Sequence, residues 1–285
     1  MSKIKEIYHF LSPKFQNLFS DYKVDFKPRF GHGKPPHPLM DEIINSQRNN
    51  YTELLSEFTK NTEVFHSIKK LVDEANEDNP AWNNQFLPGL DIVALYSIIG
   101  LKKPETYIEI GSGNSTKVAR KAIKDFGLNT KIISVDPYPR ANIDHLSDQV
   151  VRQPVEDLEN YEMFSNLKEN DILFVDNSHR CLPNSDVTVS FLEILPSLKK
   201  GVLVHVHDIY LPYDYPQFMC DRFYSEQYVL AAFILANREK YKPFFPAYYV
   251  SEDKELKKII EPIWDHPSME GVEKHGGSFW LEIGS

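Results

Sequence analysis

The stretch Tyr107-Ile108-Glu109-Ile110-Gly111-Ser112-Gly113-Asn114-Ser115-Thr116 decides the fold. Tyr107, Ile108 and Ile110 are β-formers around Glu109, and Gly111-Ser112-Gly113 breaks the strand. Asn114, Ser115 and Thr116 are helix N-cap residues. The helix they open carries Val118, Ala119, Ala122 and Phe126 at helical spacing. A buried strand running through a glycine turn into a helix N-terminus brings backbone close to a nucleotide-like ligand. Glycine is needed because a Cβ would hold such a ligand away from the backbone. The third glycine of the dinucleotide fingerprint is absent, since Thr116 stands in its place. The turn therefore suits a cofactor without a pyrophosphate.

Working outward, Ile132-Ile133-Ser134-Val135-Asp136 reads as a second strand ending in an acid. Further strands are expected at 149–152, 171–175, 201–206, 244–250 and 277–283. Helical patterns separate most of them, notably 186–198 and 225–237. Strands alternating with crossover helices imply an α/β fold with a doubly wound, mostly parallel sheet. Residues 89–285 would form this catalytic domain. Residues 1–88 read as a helical N-terminal extension, with Met40, Ile43, Ile44, Tyr51, Leu54, Leu55 and Phe58 at helical spacing, then Phe65, Ile68, Leu71 and Val72. A Pro/Gly-rich loop at 27–38 interrupts it, because proline fixes φ and removes donors.

Composition narrows the partners. The 285 residues carry a net charge of −9, and a nucleic-acid partner would need a basic face. A hydrophobic content of 41% and an aromatic content of 13% belong to a globular chain. Cys181 and Cys220 are too few for a disulfide framework and fit a reducing compartment. No apolar run approaches the roughly 18 residues of a membrane span, and no secretory leader is evident. The sequence thus reads as a cytoplasmic protein acting on a small molecule, without nucleic acid or membrane, and compatible with a homo-oligomer.

The acid within the first strand and the acid closing the second resemble the class I S-adenosylmethionine-dependent methyltransferases. That family's first-strand signature is roughly E-x-G-x-G, matched by Glu109, Gly111 and Gly113. Its ribose-holding acid matches Asp136. The resemblance implies a seven-stranded Rossmann-like sheet whose last strand inserts antiparallel. It also implies S-adenosylmethionine held by Glu109, Gly111, Ser112, Gly113, Ser115, Asp136 and Asp176, with residues 153–156 near the adenine.

Open parallel sheets bind ligands past the carboxyl ends of their strands. The fourth strand ends Val175-Asp176-Asn177-Ser178-His179-Arg180, and the fifth His205-Val206-His207-Asp208-Ile209-Tyr210. Two carboxylates and two imidazoles in one mouth suffice for a general base or a divalent ion. His179, His207 and Asp208 are the catalytic candidates. One of His205 and His207, which share a strand face, is expected to be a packing residue.

These strand-end motifs, with Gly276-Gly277-Ser278-Phe279-Trp280, resemble the bacterial branch of macrocin O-methyltransferases and cephalosporin-hydroxylase-like proteins. That branch implies Mg²⁺ or another divalent ion on Asp176 and Asp208, although Ile209 stands where its third acid would be. The expected activity is methyl transfer to a small-molecule acceptor, foremost O-methylation. The alternatives are a hydroxylase-like metal enzyme on the same fold and a non-catalytic cofactor-binding module. The aromatics Tyr210, Tyr213, Tyr215, Phe218 and Phe223 follow the fifth strand, where an acceptor would enter. The 27–38 loop, rich in Lys27, Arg29, His32, Lys34 and His37, is expected to cover that mouth with His32 or Lys34 turned inward.

Overall fold

The computed structural model describes residues 3–14, 16–18, 21–139 and 142–285. Helices α1 (Lys3–Leu11), α2 (Pro38–Asn45), α3 (Arg48–Phe58) and α4 (Thr62–Ser67) precede the sheet. Helix α5 (Gly89–Lys102) leads into β1 (Thr106–Ile110), and α6 (Asn114–Asp125) into β2 (Lys131–Val135). Then come β3 (Gln149–Val151), α7 (Glu162–Ser165) and β4 (Ile172–Val175). Helices α8 (Asp186–Val189) and α9 (Leu195–Ser197), joined by a π-helical turn, cross to β5 (Leu203–His207). The chain closes with α10 (Gln217–Cys220), α11 (Glu226–Ala236), β6 (Tyr241–Pro246), α12 (Ala247–Glu252), α13 (Leu256–Ile259), α14 (Glu261–Trp264) and β7 (Ser278–Ile283).

The strands form one seven-stranded sheet in the order β3-β2-β1-β4-β5-β7-β6. Strands β1 to β5 pair in parallel, and β7 lies antiparallel between β5 and β6. The sheet is the mostly parallel, Rossmann-like one that the sequence implies, with its last strand inserted antiparallel. Strand order reverses between β1 and β4, the place where such sheets open a crevice at their carboxyl ends.

Strands covered by helices on both faces must be apolar throughout. Strands β4 and β5 are accordingly buried at every position. Helix α5 is nearly all apolar and buried from Gly89 to Gly100. Residues of the N-terminal extension, including Met40, Ile44, Tyr51, Leu55, Phe58 and Phe65, join the same core as the sheet. The extension therefore shares one core with the sheet, and α5 starts at the 88/89 boundary.

Two expected elements shift. The strand expected at 244–250 occupies Tyr241–Pro246, and Ala247–Glu252 is helix α12. Tyr248, Tyr249 and Val250 have β propensity, but the Tyr249 hydroxyl bonds Asn45 and Arg48, and this tertiary anchor prevails. The helical spacing of 65–72 ends early. Helix α4 stops at Ser67, Ile68 is extended, and Lys70 bridges Trp82.

Candidate active site

The glycine turn is built around a buried acid. Glu109 is wholly buried, and its two oxygens accept from four hydroxyls: Ser115 at 3.0 Å, Thr116 at 2.5 Å, Ser134 at 2.6 Å and Tyr107 at 3.3 Å. Burial raises its carboxyl to about 7, against the opposing pull of those hydroxyls. Glu109 was expected to hold the cofactor. Its lone pairs are committed inside, so it shapes the turn through Ser115 and Thr116.

Gly111 has φ +83°, and a Cβ there would sit 1.9 Å from the carbonyl oxygen of Asp176. The turn after β1 thus lies directly against the end of β4. At Gly113 a Cβ would meet nothing within 4 Å. That open space in front of the α6 N-terminus is a cradle for a ligand lying on the backbone. Asp136 closes its side. Its Oδ2 accepts from the Ser112 amide at 2.8 Å and hydroxyl at 3.3 Å, and its Oδ1 from the Tyr138 amide at 2.8 Å. One Oδ1 lone pair is left for a ribose hydroxyl. Gly111, Ser112, Gly113 and Asp136 therefore come together at the turn, whereas the Ser115 hydroxyl points inward onto Glu109. Past β3, Val155 is buried and Gln153 exposed.

The strand-end constellation also assembles. His179 Nε2 lies 3.3 Å from Asp208 and 3.5 Å from Asp176. His207 Nδ1 lies 3.5 Å from Asp208 and 3.8 Å from Asp176. His179 and Asp208 have φ of +62° and +53°. Non-glycine residues held in that sparsely populated region cluster at functional sites. Both imidazoles are buried, which by itself disfavours the cation. The hydrogen bond and charge of Glu226, with the charges of Asp176 and Asp208, overcome this and hold His179 up to about 9. His207 is raised too, by Asp176, Asp208 and Asp91 against its burial.

Sequence reasoning missed two acids behind these histidines. Glu226 Oε2 accepts from His179 Nδ1 at 3.1 Å, and Asp91 Oδ2 lies 3.9 Å from His207 Nε2. Asp91 was legible only as a lone acid in an apolar helix. Glu226, in the first turn of α11, resembles an ordinary helix-dipole residue.

His205 is the packing histidine. It is buried, stacked on Phe174 at 3.9 Å, and burial lowers it well below the usual imidazole range. Trp280 and Phe279 are core. Of the aromatics after β5, Tyr210 and Tyr215 pack with Tyr224 and Met219, whereas Phe218 and Phe223 are exposed.

Among the described residues no group of three or more His, Cys, Asp or Glu side chains is arranged to hold a metal ion. Asp176 and Asp208 face imidazole nitrogens, and buried Ile209 takes the place of a third acid. The expected divalent ion on Asp176 and Asp208 thus does not fit the arrangement, and neither does a hydroxylase iron.

The 27–38 loop docks on the segment after β5. Asp214 accepts from the Arg29 and Phe30 amides, His37 N–H donates to the Pro212 carbonyl, and His32 Nε2 bonds the Asp214 carbonyl. Lys34 donates to the Pro28 carbonyl. His32 and Lys34 are exposed and held by these backbone groups, so neither turns inward as expected. Cavities of about 650 and 430 Å³ flank α12, the first against Trp264 and His275, the second against Arg48 and Tyr249. Neither includes the glycine turn or the strand-end cluster.

Residues 108–209, from β1 to just past β5, match the family model described as methyltransferase domain. Solved structures to which the chain is similar include the SAH-bound methyltransferase PaMTH1 of Podospora anserina, at 13% identity over 68% of this chain and 78% of that one, TM-score 0.41. A putative methyltransferase from Thermobifida fusca is 14% identical over 70% and 85%, TM-score 0.42. An O-methyltransferase from Bacillus cereus in complex with SAH is 13% identical over 87% and 96%, TM-score 0.34. No curated protein matches the chain. No helix among the described residues is long and apolar enough to cross a membrane.

Proposed function

We propose that the protein transfers a methyl group from S-adenosylmethionine to a hydroxyl of a small-molecule acceptor. The observation that carries this reading is the contact between the two halves of the site. The Gly111 turn lies against Asp176, and Asp176 stands beside His179, His207 and Asp208. A proton-accepting cluster therefore adjoins the cradle for the cofactor.

The bound cofactor would supply a methyl carbon activated by its sulfonium. The chain's own residues need to align the acceptor and receive its proton. The Gly111–Gly113 backbone and the α6 N-terminus would seat the methionine portion, and Asp136 would grip the ribose. Asp176 and Asp208 would accept the hydroxyl's hydrogen bond and orient it. An imidazole of the pair, once neutral, would take the proton. Among the described residues no group hydrogen-bonds either nitrogen of buried His207, whose Nδ1 faces Asp208 and Asp176. Net charge and free thiols support a cytoplasmic small-molecule enzyme.

Mass spectrometry of reactions containing the protein, S-adenosylmethionine and a panel of hydroxylated and aminated small molecules tests the reading. Methylated oxygen is expected. Product methylated only on nitrogen would overturn the acceptor class, and absence of cofactor binding in calorimetry would overturn the whole proposal.

A further inference from the structure

Helix α11 grips His179 at several points. The Ser225 and Glu226 amides both donate to the His179 carbonyl, at 2.9 and 3.3 Å. The Ser225 hydroxyl accepts from the Cys181 amide at 2.9 Å. Tyr224 stacks on the imidazole at 4.7 Å, with Arg180 and Arg222 against its own ring. The Glu226 carboxylate, wholly buried, accepts from Nδ1 at 3.1 Å. A loop residue at φ +62° persists only where its surroundings over-determine it. Here they do, and they leave Nε2 aimed at Asp176 and Asp208.

We infer that Glu226 is a positioning residue that acts through His179 and makes that imidazole the group receiving the acceptor's proton. The inference rests on the methyl-transfer reading above. A carboxylate on one imidazole nitrogen fixes which nitrogen faces the reaction and stabilises the imidazolium that forms there. In the step itself the acceptor oxygen bonds to the methyl carbon as the sulfonium–methyl bond breaks, leaving a neutral thioether. The hydroxyl proton passes to Nε2 of His179 and then to solvent. His207 lacks such a grip, since Asp91 stands 3.9 Å from its Nε2 and makes no hydrogen bond to it.

The groups facing His179 are Glu226 from α11, Asp176 after β4, and Asp208 and His207 at the end of β5, with Tyr224 stacked on the ring and Arg180 on the ring of Tyr224. Removing only the Glu226 charge should make the ring titrate lower, because Asp176 and Asp208 alone then oppose its burial.

The test compares wild type, Glu226→Gln and Glu226→Asp by NMR titration of the His179 ring, assigned with a His179→Gln variant, and by the pH profile of kcat. In wild type the ring should titrate near 9. In Glu226→Gln it should titrate about 1–3 pH units lower. The alkaline rise in kcat should move with it, the limiting kcat above that rise should fall roughly 100-fold, and KM for S-adenosylmethionine should stay put. Glu226→Asp should recover much of kcat. A Glu226→Gln protein with unchanged ring titration overturns the proposal. So does a loss shared by kcat and cofactor affinity that Glu226→Asp fails to recover, which would mark a structural role. The titration needs neither substrate, so it decides on Glu226 even if the wild type yields no methylated product, the result that would instead defeat the methyl-transfer reading.

Discussion

The carboxylate of Asp91, on the helix before the first strand, lies 3.9 Å from the Nε2 of His207 at the end of the fifth. Asp91 is held from behind by the Gly277 amide at 2.7 Å and the Ser278 hydroxyl at 2.6 Å. It ties α5, β5 and the start of β7 together beneath the candidate site. Burial raises its carboxyl, while His207, Ser278 and Gly277 favour the ionised form.

Asp91→Asn should destabilise the fold and weaken catalysis at once. The new amide must turn its N–H either toward the Gly277 N–H or toward the Ser278 Oγ, which can accept it but then loses the partner of its own proton, and a buried donor left unpaired costs about 1–3 kcal/mol. Urea unfolding should show the loss, with a lower midpoint and unchanged slope. An unaltered midpoint would mean that the carboxylate is not the fastener its hydrogen bonds suggest.

Two alanine substitutions in the turn should separate folding from binding. Gly111→Ala puts a Cβ into the Asp176 carbonyl at a φ of +83°, so the protein should unfold or lose more than about 3 kcal/mol. Gly113→Ala meets no atom within 4 Å. It should fold normally yet bind S-adenosylmethionine at least about tenfold more weakly, because the methyl would enter the cradle. Calorimetry on a folded Gly113→Ala protein with wild-type affinity would move the cofactor elsewhere.

Asp136→Ala should likewise weaken cofactor binding about tenfold or more, since charge-assisted hydrogen bonds are worth about 1.5–3 kcal/mol. Part of the effect would come from the turn itself, as Asp136 also anchors the Ser112 amide. Asp136→Asn, which retains one acceptor oxygen, should fall between the two.

The strands that build the cofactor half were legible because their signals are local. Apolar β-formers ended by Gly111 and by Asp136 mark where β1 and β2 lie. Strand β6 was misplaced because Tyr248-Tyr249-Val250 satisfies β propensity, whereas its structure is set by distant Asn45 and Arg48. The same distinction runs through the site. Asp176, His179, His207 and Asp208 could be found because strand ends in such sheets converge. Asp91 and Glu226 could not, since each lies on a helix and acquires its partner only in three dimensions. Glu109 shows the converse: its position in the motif suggested a ligand contact, yet its carboxylate faces hydroxyls of the core.

Stability should fall on the alkaline side through His179. Its folded value, about 9, exceeds the ordinary 6.5. The raised value stabilises the fold fully below about 6.5, and that contribution is lost as pH rises through 9. Melting temperature should therefore drop from pH 7 to 9.5 more in wild type than in His179→Gln. Parallel declines in the two proteins would show that the imidazolium does not contribute.

The clasp between the N-terminal loop and the segment after β5 should depend on Asp214. Its Oδ2 accepts from the Arg29 amide at 2.5 Å and the Phe30 amide at 3.0 Å, and Gln217 secures the Phe26 carbonyl nearby. Hydrogen bonds to a charged acceptor are worth about 1.5–3 kcal/mol each. Asp214→Ala should thus raise the open population of the 27–38 loop by roughly tenfold or more, and trypsin cleavage after Arg29 follows that population when opening is fast. If the loop also covers the acceptor's entry, adding S-adenosylmethionine with an acceptor should slow cleavage of wild type but not of Asp214→Ala. Equal cleavage of both proteins would show that Asp214 does not hold the loop. Slower cleavage confined to neither ligand state would leave it a connector clamped to the post-β5 segment, with no part in admitting the acceptor.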